Sequence, residues 1–194
     1  MYDYSNVASS NLIPADTLAA VLMRILPGGV GEGDLLTRSD KGDCEMLKVE
    51  YVVVDGPYAR RKIIENQIVN GTTQGQQDMA ESCRRKRKQI LQSARNIMPG
   101  DESPEARAKY QADLKDFDGL IFMARIGIEK GKGGYEDRNV IATVITPSRK
   151  EYRPVVQTPP FNGGGAGGST TPPASSGPSP SPATPPIELP PWAR

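Results

Sequence analysis

Residues 45–69 read EMLKVEYVVVDGPYARRKIIENQIV. Leu47, Val49, Tyr51 and Val53 alternate with Lys48, Glu50 and Val52, the period of two that a strand with one buried face requires. Asp55-Gly56-Pro57 turns the chain, and ARRKIIENQIV (59–69) returns as the partner strand. This hairpin makes the protein a β structure, and the elements on either side decide which kind.

Upstream, TLAAVLMRIL (17–26) has the composition of a helix and the length of a strand. The order of the other elements asks for a strand. Glycines at 28, 29, 31 and 33 then make a loop. Downstream, Gln74 to Met98 is rich in Gln, Ala, Arg and Lys and is halted by Pro99-Gly100, which predicts a helix. SPEARAKYQADLKDF (103–117) places Ser103 at an N-cap and Pro104 at the first helical position, which predicts a second. LIFMARIGIEK (120–130) puts Leu120, Phe122, Ala124, Ile126 and Ile128 on one face of a strand, and YEDRNVIATVIT (135–146) returns as a β-branched strand. The expected architecture is mainly β: a five-stranded OB-like barrel with a helical insertion between the third and fourth strands.

Composition shifts sharply near Gln157. Residues 158–186 are dominated by Gly, Pro, Ser and Thr and cannot bury enough apolar surface to offset ordering entropy, so a disordered linker is expected there. Residues 187–194 restore apolar bulk at Ile187, Leu189 and Trp192, a short tip suited to a partner protein. Residues 1–12 read as an N-terminal arm and 13–157 as the domain.

The 194 residues carry 24 Lys+Arg against 23 Asp+Glu, so any contact with nucleic acid must come from a local patch. Histidine is absent, which removes the commonest general base and metal ligand. Cys44 and Cys83 have no metal-ligand spacing and suit a reducing cytoplasm. The start of the chain lacks the pattern of a signal peptide, and Leu18 to Leu26 is too short to span a bilayer, so no membrane is expected. Asn70-Gly71-Thr72 fits a glycosylation sequon by coincidence. GIEKGKGG (127–134) has three residues rather than four between Gly127 and Gly131, and Gly133 stands where a phosphate loop needs Ser or Thr. No catalytic constellation and no cofactor site emerges, which points to a protein that is not an enzyme.

Barrels of this type bind single strands on the second and third strands and on the loops joining strands 1–2 and 4–5. Those places hold Arg38 and Lys41 in the first loop, and Lys48, Tyr58, Arg60, Arg61 and Lys62 in the hairpin. The last loop holds Lys130, Lys132, Tyr135 and Arg138. Cations neutralise phosphates and tyrosine faces stack bases, at about 1–3 kcal/mol each. Tyr51, alternating with valines, is expected in the core.

The run CRRKRKQIL (83–91) carries five consecutive cations, but a helical wheel disperses them. Met79, Ala80, Cys83, Ile90, Leu91, Ala94, Ile97 and Met98 share one stripe, expected against the barrel. Arg87 falls within it with its head sent to the edge, and Lys86 flanks it. Only Arg84, Lys88 and Arg95 gather on one flank, as a secondary track for phosphate.

The V-x-x-G-x-Y-x-x-R hairpin (Val53, Gly56, Tyr58, Arg61) and the final strand with Y-x-x-x-N-x-I (Tyr135, Asn139, Ile141) together resemble a bacteriophage family. That family was long catalogued as a domain of unknown function and suspected of binding single-stranded DNA. The resemblance covers roughly residues 13–150. It implies OB-like binding of single-stranded DNA in a host cytoplasm, during replication or recombination. The tail resembles that of bacterial single-stranded-DNA-binding proteins, whose tips recruit replication and repair enzymes, but departs from it in having Glu188 as its one acid, with Arg194 beyond it. Two other readings compete. One is a protein-interaction adaptor, favoured by the near-neutral charge. The other is a nuclear import signal, resting on the basic run alone.

Overall fold

The computed structural model describes residues 12–157. The expected N-terminal arm (through residue 11), the linker 158–186 and the tip with Ile187, Leu189 and Trp192 lie outside the described residues. Within them the protein is mainly β: six strands in one antiparallel sheet, with the long helix after the fourth. The strands are β1 (Thr17–Leu26), β2 (Leu36–Arg38), β3 (Cys44–Val53), β4 (Lys62–Gly71), β5 (Ile121–Glu129) and β6 (Arg138–Val144). The helices are α1 (Gln74–Ala94) and α2 (Pro104–Tyr110).

The sixth strand, missing from the five-strand expectation, is β2. Leu26 of β1 pairs with Lys48, and Leu36 of β2 pairs with the next residue of β3, Leu47. The two segments are therefore one long strand along the same edge of β3, interrupted by an excursion over residues 27–35. Gly28 and Gly29 donate to the Asp34 carbonyl, and Val30 and Leu36 exchange backbone hydrogen bonds, which closes the neck.

β1 serves two neighbours in turn. Thr17–Leu22 pairs with β5, and Val21–Leu26 pairs with β3. β4 lies beyond β3 and β6 beyond β5, each with an unpaired outer edge, and the short β2 likewise pairs with β3 alone. The expected barrel is not closed: no ladder joins β4 to β6 among the described residues. Instead α1 lies against both strands. Lys86 Nζ donates to Glu65 Oε2 on β4 (2.6 Å) and to the Ile141 carbonyl on β6 (3.3 Å).

Alternation sets the core as expected. Val21, Met23, Leu47, Val49, Tyr51, Val53, Phe122, Ala124 and Ile126 point inward, and α1 covers them with Ile90, Leu91 and Ala94. Burying side chains of this size contributes about 1.5–3 kcal/mol each. Tyr51 packs edge-on against Phe122, with centroids 5.8 Å apart. The opposite face is not uniformly solvated. Ala20, Leu22, Val52, Ile121 and Met123 form a second apolar cluster there with Ile145, covered by Tyr152 and Val155 of the segment after β6. Gln157 pins the end of that strap: its side-chain amide donates to the Ile121 and Ala94 carbonyls and accepts from Ile121 N–H.

Helix α1 starts at a capping box between Thr73 and Gln76. It ends earlier than the expected Met98, because Asn96 adopts φ 51° and Ile97 N–H bonds the Gln92 carbonyl, a Schellman stop. The predicted stripe holds at Ala80, Ile90, Leu91, Ala94 and Ile97. It fails at Met79 and Met98, both exposed, and Cys83 is only half-buried. Arg87 corrects the wheel most sharply. Its head goes inward, donating to Gln67 Oε1, because a buried partner waits on β4. The second helix begins at Ser103 as expected but breaks at Gln111, and a separate 3-10 turn follows at Leu114–Phe117.

Candidate nucleic-acid interface

Side chains that point away from α1 on β1, β3 and β4 form cross-strand rows, fixed by the ladder register. Leu26, Lys48 and Asn66 make one row, Arg24, Glu50 and Ile64 the next, and Leu22, Val52 and Lys62 the third. Leu22 and Val52 lie under the strap, so the open face begins at the Glu50 row. It presents Arg24 and Lys48 as exposed cations, with Asn66 and the half-exposed Ile64, and the exposed Lys62 reaches it from the margin of the strap-covered row. Lys48 makes no ion pair among the described residues. Glu50 is the one acid in these rows. Its Oε2 lies 3.0 Å from Lys62 Nζ and its Oε1 3.9 Å from Arg24 Nη1, and its side chain is only 10 % exposed. No aromatic side chain lies in these rows.

The loops divide between two ends of the sheet. The segment after Leu26 leaves the sheet beside Lys48 and returns at Leu36, and the segment after Arg38 lies at the start of β3. The β3–β4 turn and the β5–β6 loop both lie at the other end, where β1 begins. Arg38 and Lys41 are thereby separated from the expected residues of the β3–β4 turn and the β5–β6 loop. Arg38 is engaged: its Nη2 donates to Glu45 Oε1 (3.0 Å), and Asn70 donates to the other oxygen. Those two hydrogen bonds, from Asn70 and then Arg38, hold the Glu45 carboxyl below its ordinary pKa. Lys41 is exposed in the neighbouring turn.

In the β3–β4 turn, Tyr58 is half-buried and packs against the main core, which makes it a support rather than a free platform. Arg60 takes the left-handed conformation, φ 70°, and its N–H closes the turn on the Val53 carbonyl, while the Arg61 carbonyl accepts from Val53 N–H. The turn is therefore set by backbone pairing, with the Arg60 side chain exposed and that of Arg61 half-buried.

The β5–β6 loop is built differently. Lys130 Nζ bonds Asp137 Oδ2 (2.5 Å), Gly131 N–H bonds Asp137 Oδ1, and Arg138 pairs with Glu129 (2.6 Å). The Lys130 ammonium and the Gly131 N–H lower the Asp137 pKa. Gly131 is required, because a Cβ there would meet the Tyr135 carbonyl oxygen. With its base tied, the loop presents Tyr135, 83 % exposed, beside Lys132, which has no ion pair among the described residues. Lys130, Lys132, Tyr135 and Arg138 line one concavity of about 400 Å³, and no residue of the β3–β4 turn contributes to it.

The residues of the expected secondary track, Arg84, Lys88 and Arg95, each have partners within the fold. Arg84 pairs with Glu81, Lys88 lies 5.4 Å from the Tyr110 ring centre, and Arg95 donates to the Lys109 and Gln111 carbonyls, fastening the end of α2. Among the described residues no three Cys, Asp or Glu side chains converge to hold a metal ion. No helix there is long and apolar enough to cross a membrane.

Sequence reasoning missed Arg24, Asn66 and Glu50. The alternation of β3 carried the signal for Glu50, and that of β4 for Asn66. Arg24 was hidden because β1 was ambiguous between helix and strand. No family model matches the chain, and no curated protein matches it.

Proposed function

We propose that the protein binds single-stranded DNA across the open face of β1, β3 and β4, as an OB-type accessory protein of replication or recombination. The observation that carries this reading is the placement of Arg24, Lys48 and Lys62 on neighbouring strands of one uncovered face. The wider topology supports it. β1 is shared between β3 and β5, the helix follows the hairpin, and α1 lies against both β4 and β6, which fits a partly open OB barrel. Cations on the face take the phosphates, Asn66 offers a base-edge hydrogen bond, and Tyr135 offers a stacking surface. A phage origin and a host cytoplasm belong to the same proposal, as does recruitment of replication or recombination proteins by the tail.

The test is fluorescence anisotropy of a labelled oligothymidine titrated with protein at several salt concentrations. Binding is expected to weaken with salt, at a slope near −0.7 per neutralised phosphate. Lys48→Gln should weaken it several-fold and reduce the slope by about one such step. An unchanged anisotropy at low salt and micromolar protein overturns the reading.

A second reading is favoured by the ion pairs of Arg38, Lys62, Lys130 and Arg138, each of which already meets a carboxylate. In this reading the sheet is a protein-docking adaptor that does not bind nucleic acid. Retention of a partner protein with no oligonucleotide binding would favour it.

A further inference from the structure

Glu50 stands between two of the three exposed cations of the open face. It lies in one cross-strand row with Arg24 and Ile64, and Lys62 reaches it from the adjacent row. Its two oxygens divide between the cations, Oε1 toward Arg24 and Oε2 toward Lys62. The cations' side chains are 57 % and 59 % exposed, whereas the carboxylate is 10 % exposed. The carboxylate makes a close ion pair with Lys62 and a longer one with Arg24, beyond hydrogen-bond distance, so it offsets part of the charge of both cations.

We infer that Glu50 is a built-in competitor for phosphate. It holds Arg24 and Lys62 in place and tempers the affinity of the face, leaving Lys48 as the cation that engages a strand without displacement. The inference rests on the single-stranded-DNA reading and deepens it. An incoming phosphate gains the two cations only by sharing them with a carboxylate a few ångströms away, and that like-charge neighbour opposes its arrival. The consequence is a face that grips weakly and releases readily, although its cations alone would predict tighter binding.

The experiment compares wild type with Glu50→Gln, binding a labelled oligothymidine across a salt series. Gln keeps the side-chain shape and removes the charge. Removal of one unit charge at near-contact distance is expected to tighten binding about five- to tenfold at low salt. The salt slope should steepen by about 0.7 for each cation released. Lys62→Gln should cost little in wild type, where Glu50 already neutralises the ammonium, and several-fold more in the Glu50→Gln background, a coupling a purely structural role would not produce. A further pair of measurements does not depend on how Glu50→Gln folds. In the wild-type background Arg24→Gln should weaken binding less than Lys48→Gln does. Wild-type binding with no tightening and no change of slope in Glu50→Gln overturns the inference while leaving the binding reading intact. Equal losses from Arg24→Gln and Lys48→Gln also overturn it. No binding by either wild type or Glu50→Gln overturns the binding reading itself.

Discussion

At the scale of single residues, the polar groups inside the fold are as informative as the apolar ones. Gln67, fully buried on β4, accepts from Arg87 and donates to the Tyr51 hydroxyl (2.7 Å). Burial and then the nearby Glu65 charge push the Tyr51 pKa well above the ordinary tyrosine range, and burial lowers that of Arg87. Tyr51→Phe would strip the partner from a buried amide, which costs about 1–3 kcal/mol. Urea denaturation should show that loss as a lower midpoint with an unchanged slope. The inward position of Tyr51 was legible from alternation. The polar chain behind it was not, because a period-two pattern says which way Gln67 points and nothing about what meets it from a helix twenty residues on. The wheel placed Arg87 correctly in the stripe and misplaced its head for the same reason.

At the scale of elements, the interrupted strand formed by β1 and β2 carries the greatest distance between sequence and structure. Three residues of β2 are too few for any periodicity, and a nine-residue excursion hides that they continue β1. What makes the continuation possible is backbone contact at Gly28, where a Cβ would lie 2.3 Å from the Leu36 carbonyl oxygen. Gly28→Ala should therefore open the neck rather than be absorbed. We expect raised amide hydrogen exchange over residues 28–36, with exchange in the β3–β4 ladder unchanged. By contrast, the β3–β4 hairpin was legible to within a few residues, since its strands and turn are local, although the turn runs on to Arg61 so that the return strand starts at Lys62 rather than at residue 59. The candidate face shared both fates: Lys48 and Lys62 came from the hairpin, while Arg24 became visible only once β1 was known to pair with β3.

At the scale of the whole described body, the strap after β6 is what allows one sheet to have two apolar faces. Its terminal pin, Gln157, pairs with Ile121 as a peptide unit of another strand would, finishing an edge that β6 leaves uncovered. Gln157→Ala should cost about 1–3 kcal/mol through the unmet backbone groups. Limited proteolysis should then cut within residues 147–157 while the sheet stays resistant; equal resistance of mutant and wild type would contradict the pin. The sequence offered the composition change near this residue and marked it as a boundary. It gave no sign that the boundary residue is itself part of the sheet, because a single side-chain amide has no pattern.

The sharing of β1 between β3 and β5 also sets an order of events as the chain emerges from the ribosome. The β3–β4 hairpin closes over a short loop and can form as soon as it is made. β1, synthesised first, finds half of its partners only when β5 appears, with Thr17 pairing to Ile126. Until then the first half of β1 lacks its ladder partner, and the nascent protein carries an unfinished strand while residues 27–120 are made.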